Sequence, residues 1–344
     1  IIETNTFNAT SISMADYGLE PWVREINRAG AALAAKCAAE WTVKDPRKPR
    51  YVIGCLGPTN RTASLSPDVN RPGYRAVSFD VLRLAYFEQA LGLLEGGVDA
   101  LMIETIFDTL NAKAGLFAVH QAMRETGREV PVMVSGTITD ASGRTLSGQT
   151  AAAFLASIEP YRPFSIGFNC ALGAAQLRPY LDELSDACPF LVTAHPNAGL
   201  PNEFGEYDQT PEEMAAIVGR FARDGVVNIV GGCCGSTPEH IRLIGEAIKE
   251  APVRTPAPVN PNPRFSGIEL LEVFPDANFV NVGERTNVTG SSRFAKLIKE
   301  GRHDLALDIA LKQVESGAQI LDVNMDEALL DSEKEMESFL HLLA

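Results

Sequence analysis

The feature that most constrains the fold is a regular alternation of short apolar runs with stretches of helical periodicity over residues 1–250. Apolar runs bounded by Gly or Pro predict strands, and the periodic stretches between them predict helices. Strands are predicted at 1–7, 51–58, 99–104, 131–136, 164–169, 190–195 and 226–231. A strand followed by a helix, seven times over, predicts a parallel sheet with right-handed crossovers.

This alternation favours one barrel architecture. Seven strand-helix units nearly match the eight of a (β/α)8 TIM-type barrel, which usually takes about 250 residues. Because Ile1 already belongs to a predicted strand, we expect the first βα unit to lie upstream of it. A doubly wound open sheet is the alternative, but no Gly-x-Gly-x-x-Gly turn follows any predicted strand. We therefore predict an α/β fold, a (β/α)8 barrel lacking its first βα unit.

The composition changes after residue 250 and indicates a domain boundary. Residues 251–266 are rich in Pro, which predicts an extended and fairly stiff linker. Beyond them the βα alternation restarts, with strands predicted at 279–283 and 319–323. Two strands cannot close a barrel, so we expect 267–344 to be the opening βα units of a second (β/α)8 barrel. The predicted domains are thus 1–250, 251–266 and 267–344.

Composition and charge exclude several classes of protein. The formal net charge of -14 argues against nucleic acid and anionic membrane as partners, because such a surface repels phosphate. No apolar run reaches the roughly eighteen residues of a transmembrane helix, and no signal peptide precedes the first strand. Six cysteines in 344 residues do not indicate a disulfide scaffold. We therefore expect a cytoplasmic protein with reduced thiols.

Three cysteines follow predicted strands. Cys233 and Cys234 come after the apolar run at 226–231, and Cys170 comes after the run at 164–169. The carboxyl ends of parallel strands open on one face, so the three thiolates are expected to converge and hold a soft metal. The alternative is that cysteines are small buried core residues, which is the interpretation we adopt for Cys37, Cys55 and Cys188.

The surrounding motifs resemble those of a known family. Residues 167–170 and 231–235, Gly-Phe-Asn-Cys and Gly-Gly-Cys-Cys-Gly, resemble the zinc site of the homocysteine S-methyltransferases. Further matching stretches lie at 3–7, 57–59, 103–105, 135–140 and 195–199. The resemblance implies a Zn²⁺ ion held by Cys170, Cys233 and Cys234. The Asp-Gly motif of the family's first strand is not in this sequence.

A homocysteine site also needs residues for the amino acid part of the substrate. Glu104, at the end of its strand, is the candidate for the ammonium group, and the resemblance supports that role. Asn169, His195 and Asn197 are further candidates for substrate binding. The structural alternatives are that Glu104 accepts from a loop donor and that His195 is a hydrogen-bonded pocket residue. No catalytic residue is predicted beyond the metal site.

The C-terminal motifs narrow the resemblance to one type of enzyme. Residues 281–290 and 317–324 resemble the opening of a pterin-binding domain. A homocysteine barrel joined to a pterin barrel resembles the cobalamin-dependent methionine synthases. That resemblance implies methyl transfer from methylcobalamin to homocysteine, with 5-methyltetrahydrofolate recharging the cobalamin. It also implies a cobalamin-binding domain of the same full-length protein as partner.

Two alternatives remain open at this point. Asn287, Asp322 and Asn324 end or follow strands and are candidates for pterin binding, but Asn and Asp also favour turns for reasons unrelated to a ligand. The alternative to an enzyme is a non-catalytic barrel that binds zinc or thiols. A metal with an open fourth position favours the enzyme, whereas four protein ligands favour the binding protein.

Overall fold

A computed structural model describes residues 1–139 and 142–344. Asp140, the last residue of the matching stretch at 135–140, lies outside the described residues. The described chain forms two compact units. We call residues 1–62 and 77–271 the N-terminal unit, and residues 63–76 and 272–344 the C-terminal unit. The predicted domains, 1–250, 251–266 and 267–344, are not the same divisions as these two units, and their boundaries remain a prediction.

The strands of the N-terminal unit form one parallel sheet of seven in chain order. They are β1 (Ile2–Glu3), β2 (Val52–Leu56), β3 (Ala100–Ile106), β4 (Val132–Gly136), β5 (Ser165–Gly173), β6 (Leu191–Asn197) and β7 (Ile229–Val230). The sheet curls as half a barrel does and is consistent with a TIM-type barrel that lacks one unit. The predicted fold class is confirmed.

Helices connect successive strands. They are α1 (Ser11–Met14), α2 (Val23–Lys44), α3 (Phe79–Gly96), α4 (Thr109–Thr126), α5 (Ala151–Ile158), α6 (Ala174–Ala187), α7 (Pro211–Arg223) and α8 (Pro238–Ala247). Several begin where a side-chain oxygen accepts from a free backbone N–H, as Ser78, Asp108 and Thr150 do. Gly97 and Gly127 end α3 and α4 in the left-handed conformation. Local sequence therefore determines where these helices start and stop.

The hydrophobic core of the N-terminal unit lies between the sheet and the helices that cover it. A smaller cluster of apolar side chains lies on the inner face of the curled sheet. That inner cluster contains Ile53, Met102 and Met133, one residue from each of three neighbouring strands. On the helical side Phe154 of α5 packs on Phe168 of β5 with ring centroids 5.7 Å apart. Most residues of β2 to β6 are buried on both faces, which explains why the sequences of these strands are continuous apolar runs.

The predicted linker begins with a residue that is tied to the N-terminal unit. Arg254 is 4% exposed, and its guanidinium donates to the backbone oxygens of Ser185, Cys188 and Phe190 at 2.6, 2.9 and 2.9 Å. Ser185 and Cys188 lie at the carboxyl end of α6, where the helix dipole favours a cation. The positive charge is thus held by carbonyl dipoles. Residues 264–266 and 270–272 then form the short strands β8 (Arg264–Ser266) and β9 (Leu270–Glu272).

The C-terminal unit has its own small core. Its parallel strands are β10 (Val282–Asn287) and β11 (Ile320–Asn324), and its helices are α9 (Ser292–Lys299), α10 (His303–Glu315) and α11 (Ser332–Leu343). Phe294 and Phe339 are fully buried and meet edge to face, with ring centroids 5.3 Å apart. Across the described residues of both units, no helix combines the length and the apolar character that crossing a bilayer requires.

Arg254 gives a test of how the start of the linker contributes to stability. Arg254→Ala removes three hydrogen bonds from the guanidinium to backbone oxygens, and we expect it to lower the free energy of unfolding by about 2–3 kcal/mol. Val253→Ala is the matched control, because Val253 is 86% exposed. Urea unfolding of both variants measures the difference. Equal stabilities would show that Arg254 does not anchor this segment.

Candidate metal centre and substrate pocket

The three predicted cysteines lie together at the carboxyl end of the sheet. The Sγ atoms of Cys170 and Cys234 are 3.6 Å apart, and those of Cys233 and Cys234 are 4.0 Å apart. All three sulfur atoms lie within 4.8 Å of one another. Among the described residues, these three cysteines form a group of side chains that could hold a metal ion. The parallel sheet therefore brings together side chains that are more than sixty residues apart in the sequence.

Their backbone explains how the sulfurs come to face one another. Cys170 and Ala171 have φ of 62° and 56°, so β5 turns sharply just where the first thiol is attached. The loop that carries Cys233 and Cys234 is held against the end of β6. The N–H of Cys233 donates to the Pro196 oxygen at 2.8 Å, and the N–H of Cys234 donates to Asn197 Oδ1 at 3.2 Å.

The sulfur geometry fits a zinc ion. Two Zn–S bonds of about 2.3 Å at a tetrahedral angle place the sulfurs roughly 3.8 Å apart. The Cys170–Cys234 and Cys233–Cys234 separations, 3.6 and 4.0 Å, lie on either side of that value. Thiolates are also the ligands that zinc prefers among soft donors. The cluster can therefore hold a metal ion of this kind with three protein ligands.

The thiols influence one another's ionisation. A thiolate on Cys170 accepts from the Cys233 thiol and from the Ala171 N–H, and this lowers its pKa to about 5 despite desolvation. The hydrogen bond to Cys170, with burial, in turn raises the pKa of Cys233. Burial and the charge of Cys170 raise the pKa of Cys234. Without a metal the cluster thus favours one thiolate, and a cation is needed to hold three.

Glu104 points into the same region from β3. It is 7% exposed, and burial raises its pKa, partly offset by a hydrogen bond from Cys55. The Cys55 thiol donates to Glu104 Oε1 at 2.5 Å. Cys55 and Met102 are register partners, and side chains two residues apart on a strand share a face, so Cys55 and Glu104 lie on the same inner face. Cys55 is buried as predicted, but it has a polar partner.

A pocket of about 300 Å³ joins the carboxylate to the sulfurs. It is lined by Glu3, Phe7, Glu104, Thr105, Cys170, His195, Gly232, Cys233 and Cys234. His195 Nδ1 is buried and has no hydrogen-bond partner among the described residues. Desolvation lowers the pKa of His195 to about 4, so the imidazole is neutral at pH 7. The pocket thus contains soft sulfur donors, the carboxyl groups of Glu3 and Glu104 and a neutral hydrogen-bonding ring.

The two predicted asparagines lie beside this pocket and contact the protein. Asn197 is buried and accepts from the N–H of Cys234. Asn169 is 1% exposed, and its amide contacts Thr105, Ser135 and Cys233. Their predicted role in substrate binding remains a prediction.

Two polar residues that line the pocket, and one residue beside it, were not named as site residues from the sequence. Glu3 and Thr105 line the pocket, and Cys55 binds the carboxylate of Glu104. Glu3 could have been found, because it is a charged residue in the first predicted strand. Thr105 lies in the matching stretch at 103–105, which could have drawn attention to it, whereas nothing in the sequence indicates a polar role for Cys55.

The predicted pterin residues lie at the carboxyl ends of β10 and β11. Asn287 and Asn324 are register partners, so the structure brings these two together. Asn287 Oδ1 accepts from the N–H groups of Thr289 and Gly290, and Asn324 Oδ1 accepts from that of Asp326. Both side chains therefore make turns of the kind named as their alternative. Asp322 has an exposed side chain, and its role remains a prediction.

Thiol labelling tests the cysteine arrangement directly. In the reduced, metal-free chain we expect a thiol reagent to modify the accessible thiols and to spare the buried Cys55 and Cys188 until the chain unfolds. The accessible thiols are Cys37, Cys170, Cys233 and Cys234. The prediction that Cys37 is a buried core residue was wrong, because its side chain lies on the exposed side of α2. Added Zn²⁺ should protect all the accessible thiols except Cys37, and mass spectrometry of peptides reads the result. Labelling of Cys170 that is equally fast with and without Zn²⁺ would contradict the metal site.

Comparisons with known proteins support the fold. Residues 283–344 match the family of pterin binding enzymes. Two crystal structures of the homocysteine methyltransferase MmuM from Escherichia coli share the fold. Its oxidised form is 18% identical with a TM-score of 0.56, covering 71% of this chain and 78% of that chain. Its metallated form is 22% identical with a TM-score of 0.52, covering 72% and 77%.

A match to one family covers most of the sequence. Residues 1–248 match the family described as homocysteine S-methyltransferase, which is well over half of the 344 residues. The match includes the whole seven-stranded sheet, the three clustered cysteines and the pocket beside them. The chain belongs to the homocysteine S-methyltransferase family.

Proposed function

We propose that this protein catalyses zinc-dependent methyl transfer from methylcobalamin to homocysteine, giving methionine, with 5-methyltetrahydrofolate recharging the cobalamin. The observation that carries the proposal is the convergence of three cysteine sulfurs beside a pocket that also contains a buried carboxylate. Homocysteine has a thiol at one end and an ammonium group at the other. The pocket offers a partner for each end.

The metal would be held by Cys170, Cys233 and Cys234. Zinc in such a site lowers the pKa of a coordinating thiol, so that homocysteine is a thiolate at neutral pH, whereas a free thiol has a pKa of about 8.5 and is mostly protonated. Three protein ligands leave a coordination position for the substrate, and the cluster has three members in the described residues. A site of this kind suits a thiol substrate better than a purely structural metal.

Glu104 is proposed to bind the ammonium group. Burial destabilises the ionised form of the Glu104 carboxylate. An ammonium group bound beside the carboxylate would stabilise that form. The Cys55 thiol donates to Oε1, which orients the carboxylate before substrate arrives. His195 and Asn197 are proposed as further residues of the substrate site. The pocket volume of about 300 Å³ suits a small amino acid.

The choice of methyl donor rests on the C-terminal residues. A match to pterin binding enzymes on the same chain supports a folate as the source of the methyl group. Cobalamin as the carrier follows from the resemblance to enzymes that join these two domains. We propose the domain boundaries 1–250, 251–266 and 267–344 for this arrangement, with Asn287, Asp322 and Asn324 at the pterin site.

The division of roles between metal and carboxylate can be tested by Glu104→Gln. This change keeps the shape but removes the charge, so we expect homocysteine to bind roughly ten- to a hundredfold more weakly. Zinc content should not change. A thiol that lacks the amino group, 4-mercaptobutanoate, should bind with nearly the same affinity as to the wild type. Calorimetry measures both affinities, and metal analysis gives the zinc content.

Cys233→Ala is the companion variant, and it should lose both zinc and homocysteine binding. If Glu104→Gln strips the metal, or weakens both thiols equally, Glu104 supports the metal site and not the substrate. If the zinc-loaded wild type binds neither thiol, the protein is the non-catalytic binding barrel. X-ray absorption at the zinc edge, with and without homocysteine, reads the change in sulfur ligation independently.

A further inference from the structure

An unusual backbone conformation surrounds the pocket. Thr105, Cys170 and Ala171 have φ of 57°, 62° and 56°, and they are three of the four non-glycine residues with positive φ among the described residues. Thr105 is the least expected of these, because a β-branched side chain rarely adopts the left-handed region. Such a residue costs of order 1–3 kcal/mol and persists only when its surroundings enforce it. Something must therefore hold Thr105.

Asn169 makes the contacts that hold it. The Thr105 N–H donates to Asn169 Oδ1 at 3.0 Å, and Asn169 Nδ2 donates to Thr105 Oγ1 at 2.7 Å. A backbone N–H can only donate, which fixes the orientation of the amide. The Asn169 side chain thus forms hydrogen bonds with both the backbone N–H and the hydroxyl of Thr105.

The remaining capacity of the Asn169 amide is also used. Ser135 Oγ donates to the same Oδ1 at 2.7 Å, and Nδ2 approaches Cys233 Sγ at 3.9 Å. The backbone oxygen of Asn169 accepts from Thr137 Oγ1 at 3.0 Å. With both ends of the amide occupied and 1% of the residue exposed, Asn169 is immobilised by the ends of β3 and β4 and by the cysteine loop.

The neighbours of this contact are the proposed functional residues. Glu104 precedes Thr105 directly, and Cys170 follows Asn169 directly. The ladder between β3 and β4 shifts register between Ile103 and Ile106, where Glu104 and Thr105 lie. The direction of the Glu104 side chain is therefore set by an irregular backbone that Asn169 stabilises.

We propose that Asn169 is a positioning residue that holds Thr105 in the left-handed conformation and thereby fixes the Glu104 carboxylate relative to the three sulfurs. The span between carboxylate and metal is what matches the site to an amino thiol of the length of homocysteine. The inference rests on the proposed function, because it assigns Asn169 to the ammonium half of that site. Asn169 thus acts by positioning Glu104 and does not contact the substrate itself.

The first test uses the zinc-loaded full chain and Asn169→Ala. We expect homocysteine to bind about tenfold more weakly, as the loss of one or two neutral hydrogen bonds implies. The affinity for 4-mercaptobutanoate should change less than threefold, and zinc content per chain should stay at the wild-type value. Loss of zinc, or equal weakening of both thiols, would overturn the inference.

A pair of substitutions at Thr105 tests the role of strain without altering Asn169. Thr105→Gly removes the hydroxyl but accepts positive φ freely, whereas Thr105→Val keeps the shape, keeps the strain and loses the hydrogen bond. We therefore expect Thr105→Gly to retain more homocysteine affinity than Thr105→Val, although valine is the closer match in shape. The opposite order would show that the left-handed conformation is not what positions Glu104.

A double-mutant cycle asks whether Asn169 acts through Glu104. In the Glu104→Gln background, adding Asn169→Ala should cost less than threefold in homocysteine affinity, because the group that it positions has lost its charge. A full tenfold further loss would mean that Asn169 binds substrate directly and would overturn the inference. The proposed function is tested separately in the wild type. Equal affinities of the wild type for homocysteine and 4-mercaptobutanoate would contradict it.

Discussion

The parallel direction of neighbouring strands is the constraint on which the site of this protein depends. All seven strands of the N-terminal sheet run the same way, so their carboxyl ends open at one edge. Glu104, Cys170 and the pair Cys233 and Cys234 all lie at or beyond such ends. Residues that are far apart in sequence therefore line one pocket, although few of them would touch in an antiparallel arrangement.

The irregular backbone near these strand ends directs the side chains into one pocket. Regular strands would send successive side chains to opposite faces of the sheet. At Thr105, and again at Cys170 and Ala171, the chain leaves the extended conformation, and the ladders shift register. These positions cost conformational energy that the buried core of the sheet and the Asn169 amide offset. Stability and site geometry are thus linked through the same few residues.

Electrostatics sets what the pocket can accept. The carboxyl groups of Glu3 and Glu104 and the thiols of three cysteines face one small volume, and a charge on Cys170 raises the pKa of Glu104, Cys233 and Cys234. Under the proposed function, a metal at the sulfurs and an ammonium group at the Glu104 carboxylate would offset this repulsion. A substrate with a thiol and an ammonium group fits such a pocket at both ends. Cys55 belongs to this arrangement, because its thiol is a donor that does not add to the negative charge.

The amino-acid sequence alone was enough to predict the seven strands of the N-terminal sheet, their parallel direction and the clustered cysteines, since apolar periodicity and residue type are local properties. The strand predicted at 131–136, for example, is observed at Val132–Gly136. The sequence missed β8 and β9, and it placed β10 at 279–283 where the structure has Val282–Asn287. Only the tertiary structure decided that Cys55 meets Glu104 and that Asn169 holds Thr105. These pairs are 49 and 64 residues apart, and register and backbone strain create contacts that no local pattern encodes.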